Sequence, residues 1–315
     1  MKILLVGSGY MATEYLKVLD NLKHEVTVVG RGEKNLATLK ETYPTYTYIS
    51  GGLDNYLENN GDIPTIAINA ISVIHLKSST IAMLNAGVKH ILLEKPGALS
   101  IAGLEEIQAA ENKAEAKVSI AYNRRFYSSI IELKKMAKED GGIIGVHFEF
   151  TEWIHTIDEN IYSPEALNKW VLSNSSHVID TVFYLAGLPK TLNTTVGGKN
   201  EISWHPSGGI FVGSGETEMN IPFSYHTNWL APGRWAIEVL TAKRRYYLKP
   251  MEKLQVQQKG SVAVAGVEID ASLDENFKPG LFLQVTNFLE AKTDYFVSLE
   301  EQIKSFHYYD KISGY

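Results

Sequence analysis

Apolar and polar positions along the first third of the chain follow two rhythms. Short apolar runs recur: residues 3–6, HEVTVVG (24–30), TIAINA (65–70), VKHILLE (88–94) and AKVSIAY (116–122). Each has the length and β-branched content of a buried strand. Between them, apolar residues return at helical spacing. Met11, Tyr15, Leu16 and Leu19 fall on one face at i, i+4, i+5 and i+8. Residues 33–41, 76–86 and 102–113 read as further helices, and Gly87 is placed to end the second of these. Alternation of this kind predicts βαβ units and a parallel sheet. Beyond Arg125 the rhythm changes. A helix over about 128–138 precedes GGIIGVHFEFTEW (141–153), and strand-like alternation continues over 208–229, 234–250 and 253–258. Pro232-Gly233 is a turn dipeptide between two of these runs, and strands joined in this way predict an antiparallel sheet.

The stretch KILLVGSGYMA places its glycines between the first strand and the first helix. The preceding apolar run is too short for a secretory signal. In that position Gly7 permits the tight turn, Gly9 lets backbone approach a pyrophosphate, and Ala12 is the third small residue that lets helix pack on strand. Tyr10 and Met11 open the helix, whose N-terminus favours phosphate. The alternative is a plain βα turn. The end of the second strand chooses the cofactor. An acid there holds the ribose 2′-hydroxyl of NAD, but this chain reads Val29-Gly30-Arg31-Gly32, with Glu33 following. Arg31 suits a 2′-phosphate, so NADP is expected over NAD; the alternative is a solvated loop arginine.

Composition narrows the picture. A length of 315 residues suggests two domains. Hydrophobic residues at 44% and charged residues at 21% are ordinary for a globular protein, and no apolar run reaches the roughly 18 residues of a membrane span. A net charge of −6 without a basic block argues against nucleic acid as a partner. The chain has no cysteine, which excludes disulfides, thiolate metal sites and cysteine nucleophiles; no metal is expected, and a cytoplasmic location is.

Four segments in order then carry a resemblance: the glycine loop, AISVIH (70–75) before a helix, Glu94-Lys95-Pro96 closing a strand, and YNRRF (122–126). Together they resemble the Gfo/Idh/MocA oxidoreductases, the glucose–fructose oxidoreductase and inositol dehydrogenase superfamily. The resemblance implies an α/β protein. A Rossmann domain with a doubly wound parallel sheet, 1–122, would be followed by an α/β domain with a large, mostly antiparallel sheet, 123–315. It implies cofactor contacts from Gly7, Gly9, Tyr10, Met11, Ala12, Arg31, Ser72, His75, Glu94 and Lys95, and a homo-oligomer, dimer or tetramer, formed through the second sheet. The family's second segment, D-x-x-x-H-x-x-D, matches SNSSHVID (173–180): His177 takes the place of its histidine, Asp180 that of the following acid, and Ser173 stands where the first acid is often found. Lys95 is the first expected proton carrier, because a partly desolvated amine beside a positively charged nicotinamide titrates closer to neutrality; His177 is the second catalytic candidate, as proton donor or as the group orienting the substrate oxygen, and a histidine that only packs or hydrogen-bonds is the alternative. Asp180 is expected to be structural.

The substrate is expected to meet Asn123, Arg124, Arg125, Ser173, Trp229 and Arg234. Tyr225, Asn228, Trp229, Arg234 and Trp235 surround one turn, where aromatic faces suit sugar rings and Arg234 suits a phosphate or carboxylate; a sheet edge or oligomer contact is the alternative. Lys278 and Gly280 lie in a further segment, FKPGLFLQ. These segments are similar to the branch of the family found in bacterial surface-sugar pathways. That similarity implies an NADP-dependent oxidoreductase of a sugar, nucleotide-linked or otherwise activated. A non-catalytic NAD(P)-binding regulator and a reductase of a non-sugar ketone, imine or tetrapyrrole are the competing expectations.

Overall fold

The computed structural model describes residues 1–315, which divide into two compact units. The first contains residues 1–122 and 281–304, the second residues 123–280 and 305–315.

In the first unit, β1 (Lys2–Val6), β2 (Glu25–Val29), β3 (Thr47–Ile49), β4 (Ile66–Asn69), β5 (His90–Glu94) and β6 (Lys117–Ala121) alternate with five helices. These are α1 (Tyr10–Asn21), α2 (Glu33–Thr42), α3 (Gly52–Asn59), α4 (Leu76–Asn85) and α5 (Ile101–Ala114). The strands are parallel in the order β3-β2-β1-β4-β5-β6. β1 is the second innermost strand of the core, with Ile3, Leu4 and Leu5 fully buried, which is why its four apolar residues run without alternation. The order reverses between β1 and β4, and crevices at such a switch point take ligands.

The second unit begins with α6 (Ser128–Glu139) and β7 (Ile143–Phe150), then α7 (Pro164–Asn168) and a π turn over Val171–Ser175 that runs into α8 (Ser176–Ala186). β8 (Pro189–Gly197), β9 (Ile210–Thr217), β10 (Pro222–Asn228), β11 (Trp235–Thr241), β12 (Arg244–Leu248), β13 (Gln255–Gln258), β14 (Val264–Gly266) and α9 (Ser272–Asn276) follow. The eight-stranded sheet runs β14-β13-β12-β11-β7-β10-β9-β8. α8 packs on β7 and β11, and its apolar side chains Val178, Ile179 and Val182 are fully buried, as are Phe148, Phe150 and Phe211 of the sheet.

Two expectations are corrected here. The Pro232-Gly233 turn does not close a hairpin. β7 lies between β10 and β11, parallel to the first and antiparallel to the second. The connection passes close over the end of β7: a Cβ on Gly233 would meet Glu149 and stand 2.8 Å from the Thr151 side chain, so the glycine is needed for proximity. The second domain is also not the continuous segment 123–315. The chain returns to the first unit through α10 (Leu281–Leu289), β15 (Val297–Ser298) and the start of α11 (Leu299–Ser313). α10 buries Leu281 and Val285 and packs on α1, while β15 pairs antiparallel with β6 and so covers a sheet edge.

One buried ion pair ties α6 to the β11–β12 hairpin. Asp140 accepts from Arg244 Nη2 at 2.6 Å and Nε at 2.8 Å, from Thr241 Oγ1 at 2.8 Å and from the Tyr246 hydroxyl at 2.7 Å. The Arg244 hydrogen bonds, against the cost of burial and with help from Tyr246 and Thr241, hold its pKa down to about 2. The folded pKa lies below the unfolded value of about 3.9, so this stabilisation is present above about pH 4 and fades as pH falls toward 2. Asp140→Asn should cost about 3–5 kcal/mol at neutral pH by leaving Arg244 uncompensated. Urea unfolding should show the deficit narrowing as the pH is lowered through that window.

Candidate active site

The first unit carries a cavity of about 710 Å³ at the switch point, where the β1–α1 turn, the ends of β2 and β4, and the first turns of α2, α3 and α4 meet. Gly7 and Gly9 line it on one side, Arg31 and Lys34 on the second, Ser72 and His75 on the third. Gly7 has φ +128°, and a Cβ there would stand 2.5 Å from the Ala70 carbonyl oxygen. Only glycine lets the turn lie this close to the end of β4. α1 starts from Gly9, which brings no capping side chain, so a phosphate can serve as the cap. At the end of β2, a Cβ on Gly30 would stand 2.9 Å from Ser8 Oγ and 3.0 Å from Leu36 Cδ2. The acid is missing there, and a side chain at Gly30 would have to displace the Ser8 hydroxyl and the end of Leu36. The Arg31 side chain lies along Gly52, 3.7 Å from where its Cβ would be, and Lys34 joins it from α2. Asp54, on α3, is the acid in this part of the lining. A dinucleotide fits the cradle: the glycine turn and α1 would hold its phosphates, and Arg31 with Lys34 would meet a 2′-phosphate.

Not every expected cofactor contact lies in that cavity. Ala12 is fully buried, and its Cβ would be 3.5 Å from one on Gly7, so it acts through packing. Tyr10 is largely exposed and Met11 is half-buried; neither lines the cavity. Glu94, the last residue of β5, and Lys95, in the turn after it, are not among the residues that line the cavity. That turn is held from below by residues the sequence pattern did not single out. The fully buried Tyr15 donates its hydroxyl hydrogen to Glu94 Oε1 at 2.7 Å. Burial and the neighbouring carboxylate push the Tyr15 pKa well up, so the donor stays protonated. Gln302, fully buried on α11, donates to the Pro96 carbonyl at 3.0 Å and to the Tyr122 hydroxyl at 3.1 Å. No sequence signal marked Gln302, because it lies far along the chain in a helix with mixed polarity.

The second unit has its own cavity of about 420 Å³. Arg124 and Tyr127 form one wall, Glu152 and Trp153 another, and Asn174, Arg234 and Trp235 complete the polar and aromatic lining. Arg124 is held closely. Its Nη1 donates to Asn123 Oδ1 at 2.7 Å and lies 2.9 Å from His177 Nε2. Its guanidinium carbon sits 5.3 Å from the Trp235 ring centre and 5.8 Å from that of Tyr127. Asn123 is buried and donates to the Pro279 carbonyl at 2.9 Å, so it positions Arg124 and does not reach the cavity. Glu152, nearly buried, accepts from Asn174 Nδ2 at 3.0 and 3.1 Å and from Ser175 Oγ at 2.5 Å.

Three further expected substrate contacts, besides Asn123, lie outside this cavity. Arg125 forms a bidentate pair with the buried Asp180 at 2.7 and 2.8 Å and lies over the Tyr184 ring at 4.7 Å; the pair is structural, in keeping with the role expected of Asp180. Trp229 is buried among His205, Trp204 and Phe211 and donates to the Phe150 carbonyl at 3.1 Å. Tyr225 of the same turn is buried in the sheet core as well, whereas Arg234 and Trp235 do reach the cavity. Ser173 lies in the π turn, where its Oγ donates to the Ala166 carbonyl at 3.0 Å. The wider turn breaks the regular i, i+4 relation between 173 and 177, and Asn174 is the residue that lines the cavity.

A doubly wound sheet with a glycine turn opening at its switch point defines the first unit as a dinucleotide-binding fold. Residues 1–122 match the family model GFO_IDH_MocA, described as an oxidoreductase family with an NAD-binding Rossmann fold. Scyllo-inositol 2-dehydrogenase (NADP(+)) of Bacillus subtilis is 23% identical over 215 residues, 64% of this chain and 56% of that protein. The chain thus spans about half the length of the curated relatives it matches. Among solved structures, the aldose-aldose oxidoreductase of Caulobacter crescentus, complexed with glycerol, superposes with a TM-score of 0.79 at 17% identity, covering 100% of this chain and 97% of that one. UDP-N-acetylglucosamine 3-dehydrogenase of Acidithiobacillus ferrooxidans gives 0.74 at 11% identity, covering 99% and 96%. These likenesses show the fold. No helix is long and apolar enough to cross a membrane.

The glycine turn yields a direct test. Gly7→Ala should lose about 1–3 kcal/mol to backbone strain, before any clash with Ala70 is added. A fall in melting temperature, together with loss of dinucleotide binding by isothermal titration, is the expected result.

Proposed function

We propose that this chain is an NADP-dependent oxidoreductase that transfers hydride between the nicotinamide and a hydroxyl or ketone carbon of a sugar, nucleotide-linked or otherwise activated. The observation that carries the cofactor choice is the end of β2. Gly30 brings no ribose-binding acid, while Arg31 and Lys34 line the same cavity. The relatives support the reaction class, since those named above are dehydrogenases or oxidoreductases of inositol, aldose or an activated sugar. The second cavity supports the substrate class. Trp153 and Trp235 offer faces for a sugar ring, Glu152 and Asn174 offer partners for hydroxyls, and Arg234 suits an anionic substituent.

When bound, the dinucleotide supplies the hydride acceptor or donor. The chain's task is to orient the substrate and move one proton. Lys95 carries that proton in this proposal: its backbone is pinned by the Tyr15–Glu94 and Gln302–Pro96 hydrogen bonds on either side. An amine so placed takes the hydroxyl proton on oxidation and returns it on reduction. Self-association through the eight-stranded sheet and a cytoplasmic location belong to the same proposal.

Fluorescence titration should show tighter binding of NADPH than of NADH. Losing a charge-assisted contact costs about 1.5–3 kcal/mol, so Arg31→Ala should weaken NADPH binding by about 10- to 150-fold and leave NADH nearly unchanged. Equal affinities in the parent would overturn the cofactor assignment. Lys95→Met should keep NADPH binding while single-turnover hydride transfer falls by about 10²–10⁴. Near-parental rates in the folded variant would remove Lys95 from proton transfer. A parent that binds NADPH but turns over no sugar or nucleotide sugar would favour a regulator.

A further inference from the structure

His177 is the residue that alignment to the family pattern makes a proton donor, yet its surroundings give it another task. It is nearly buried, it does not line the cavity of the second unit, and its Nε2 faces the Arg124 Nη1 at 2.9 Å. An arginine nitrogen has no lone pair to accept with and stays protonated in proteins, so Arg124 donates and Nε2 accepts. Nε2 then carries no proton, and the ring holds its hydrogen on Nδ1. The two Nη1 hydrogens of Arg124 are engaged by Asn123 Oδ1 and His177 Nε2. This leaves the Nη2 pair and the Nε hydrogen of a cavity-lining, half-buried guanidinium to meet a ligand. Trp235 and Tyr127 flank the cation and fix its plane.

We propose that Arg124 is the group in this cavity that contacts a negatively charged substrate oxygen, and that His177 is its positioning residue and donates no proton. The inference rests on the sugar-oxidoreductase reading above. Taking the proton from a hydroxyl leaves its electron pair on oxygen, and a cation fixed by its neighbours stabilises that charge without moving a proton itself. This assignment also accounts for Ser173. An acid one turn before the histidine stabilises an imidazolium, but a histidine that accepts from arginine stays neutral and needs no such partner. Asn123 and His177 together fill the same role for Arg124 that an orienting carboxylate fills for a catalytic imidazole.

Two measurements test the proposal. The first needs neither substrate nor cofactor. ¹⁵N NMR of histidine-labelled protein, with His177→Gln to assign the signal, should show Nδ1 protonated and Nε2 unprotonated near neutral pH. Arg124→Met should shift the Nε2 resonance. An Nε2–H tautomer or a doubly protonated ring would overturn the inference. The second is single-turnover kinetics at saturating NADP(H). Arg124→Met should lower the rate by about 10²–10³, as removal of an oxyanion donor does. His177→Leu should also be slow. His177→Gln, whose amide oxygen can accept from Arg124 but cannot transfer a proton, should recover at least about tenfold of that loss, roughly the worth of one well-made hydrogen bond to a charged group. A glutamine variant as slow as the leucine one would return the proton to His177. A parent without turnover on any sugar would sink the functional reading, and the NMR result would still decide the His177–Arg124 arrangement.

Discussion

The first unit depends on two glycines that let the chain pack close against its neighbours. Gly7 lies against the Ala70 carbonyl, and Gly30 lies against Ser8 and Leu36. The first contact brings the β1–α1 turn onto the end of β4, at the point where the strand order reverses. The second leaves the end of β2 bare, with Arg31, Lys34 and, from α3, Asp54 as the charged groups in that part of the lining. Each side of the cavity is thus shaped by close backbone approach. Its polarity is decided afterwards by which side chains remain able to enter it.

The turn that carries Lys95 shows how remote parts of the chain hold one strand end. β5 brings Glu94 and Lys95 to the C-terminal edge of the sheet. Tyr15 from α1 then fixes the Glu94 carboxylate, and Gln302 from α11 fixes the Pro96 carbonyl. Gln302 is available because the chain comes back to the first unit after residue 280, adding α10 over α1 and β15 beside β6. Such buried, hydrogen-bonded polar groups cost stability when one partner is lost, so the return segment and the lysine turn are energetically coupled.

In the second unit the π turn before α8 decides which residues face the cavity. It directs Ser173 to the Ala166 carbonyl and Asn174 toward Glu152, and α8 then continues with His177 under Arg124 and Asp180 under Arg125. Adjacent arginines therefore have different fates. Arg125 is consumed by a buried carboxylate, and Arg124 meets Asn123 Oδ1 and His177 Nε2 through one nitrogen, Nη1.

The sequence by itself determined the alternating strands and helices of residues 1–122, the glycine turn, the bare end of β2 and the position of Lys95, because these follow from local periodicity and from spacing within one βαβ unit. It also marked the strand-rich second half. Only the tertiary structure decided that β7 inserts between β10 and β11, that the chain rejoins the first unit after residue 280, and that Trp229 is core while Trp235 lines a cavity. Strand order, burial and the choice of hydrogen-bond partner are long-range properties. Arg124 and Arg125 are neighbours in sequence with the same chemistry, and what separates them is a helix more than fifty residues away that offers one a carboxylate and the other an imidazole nitrogen.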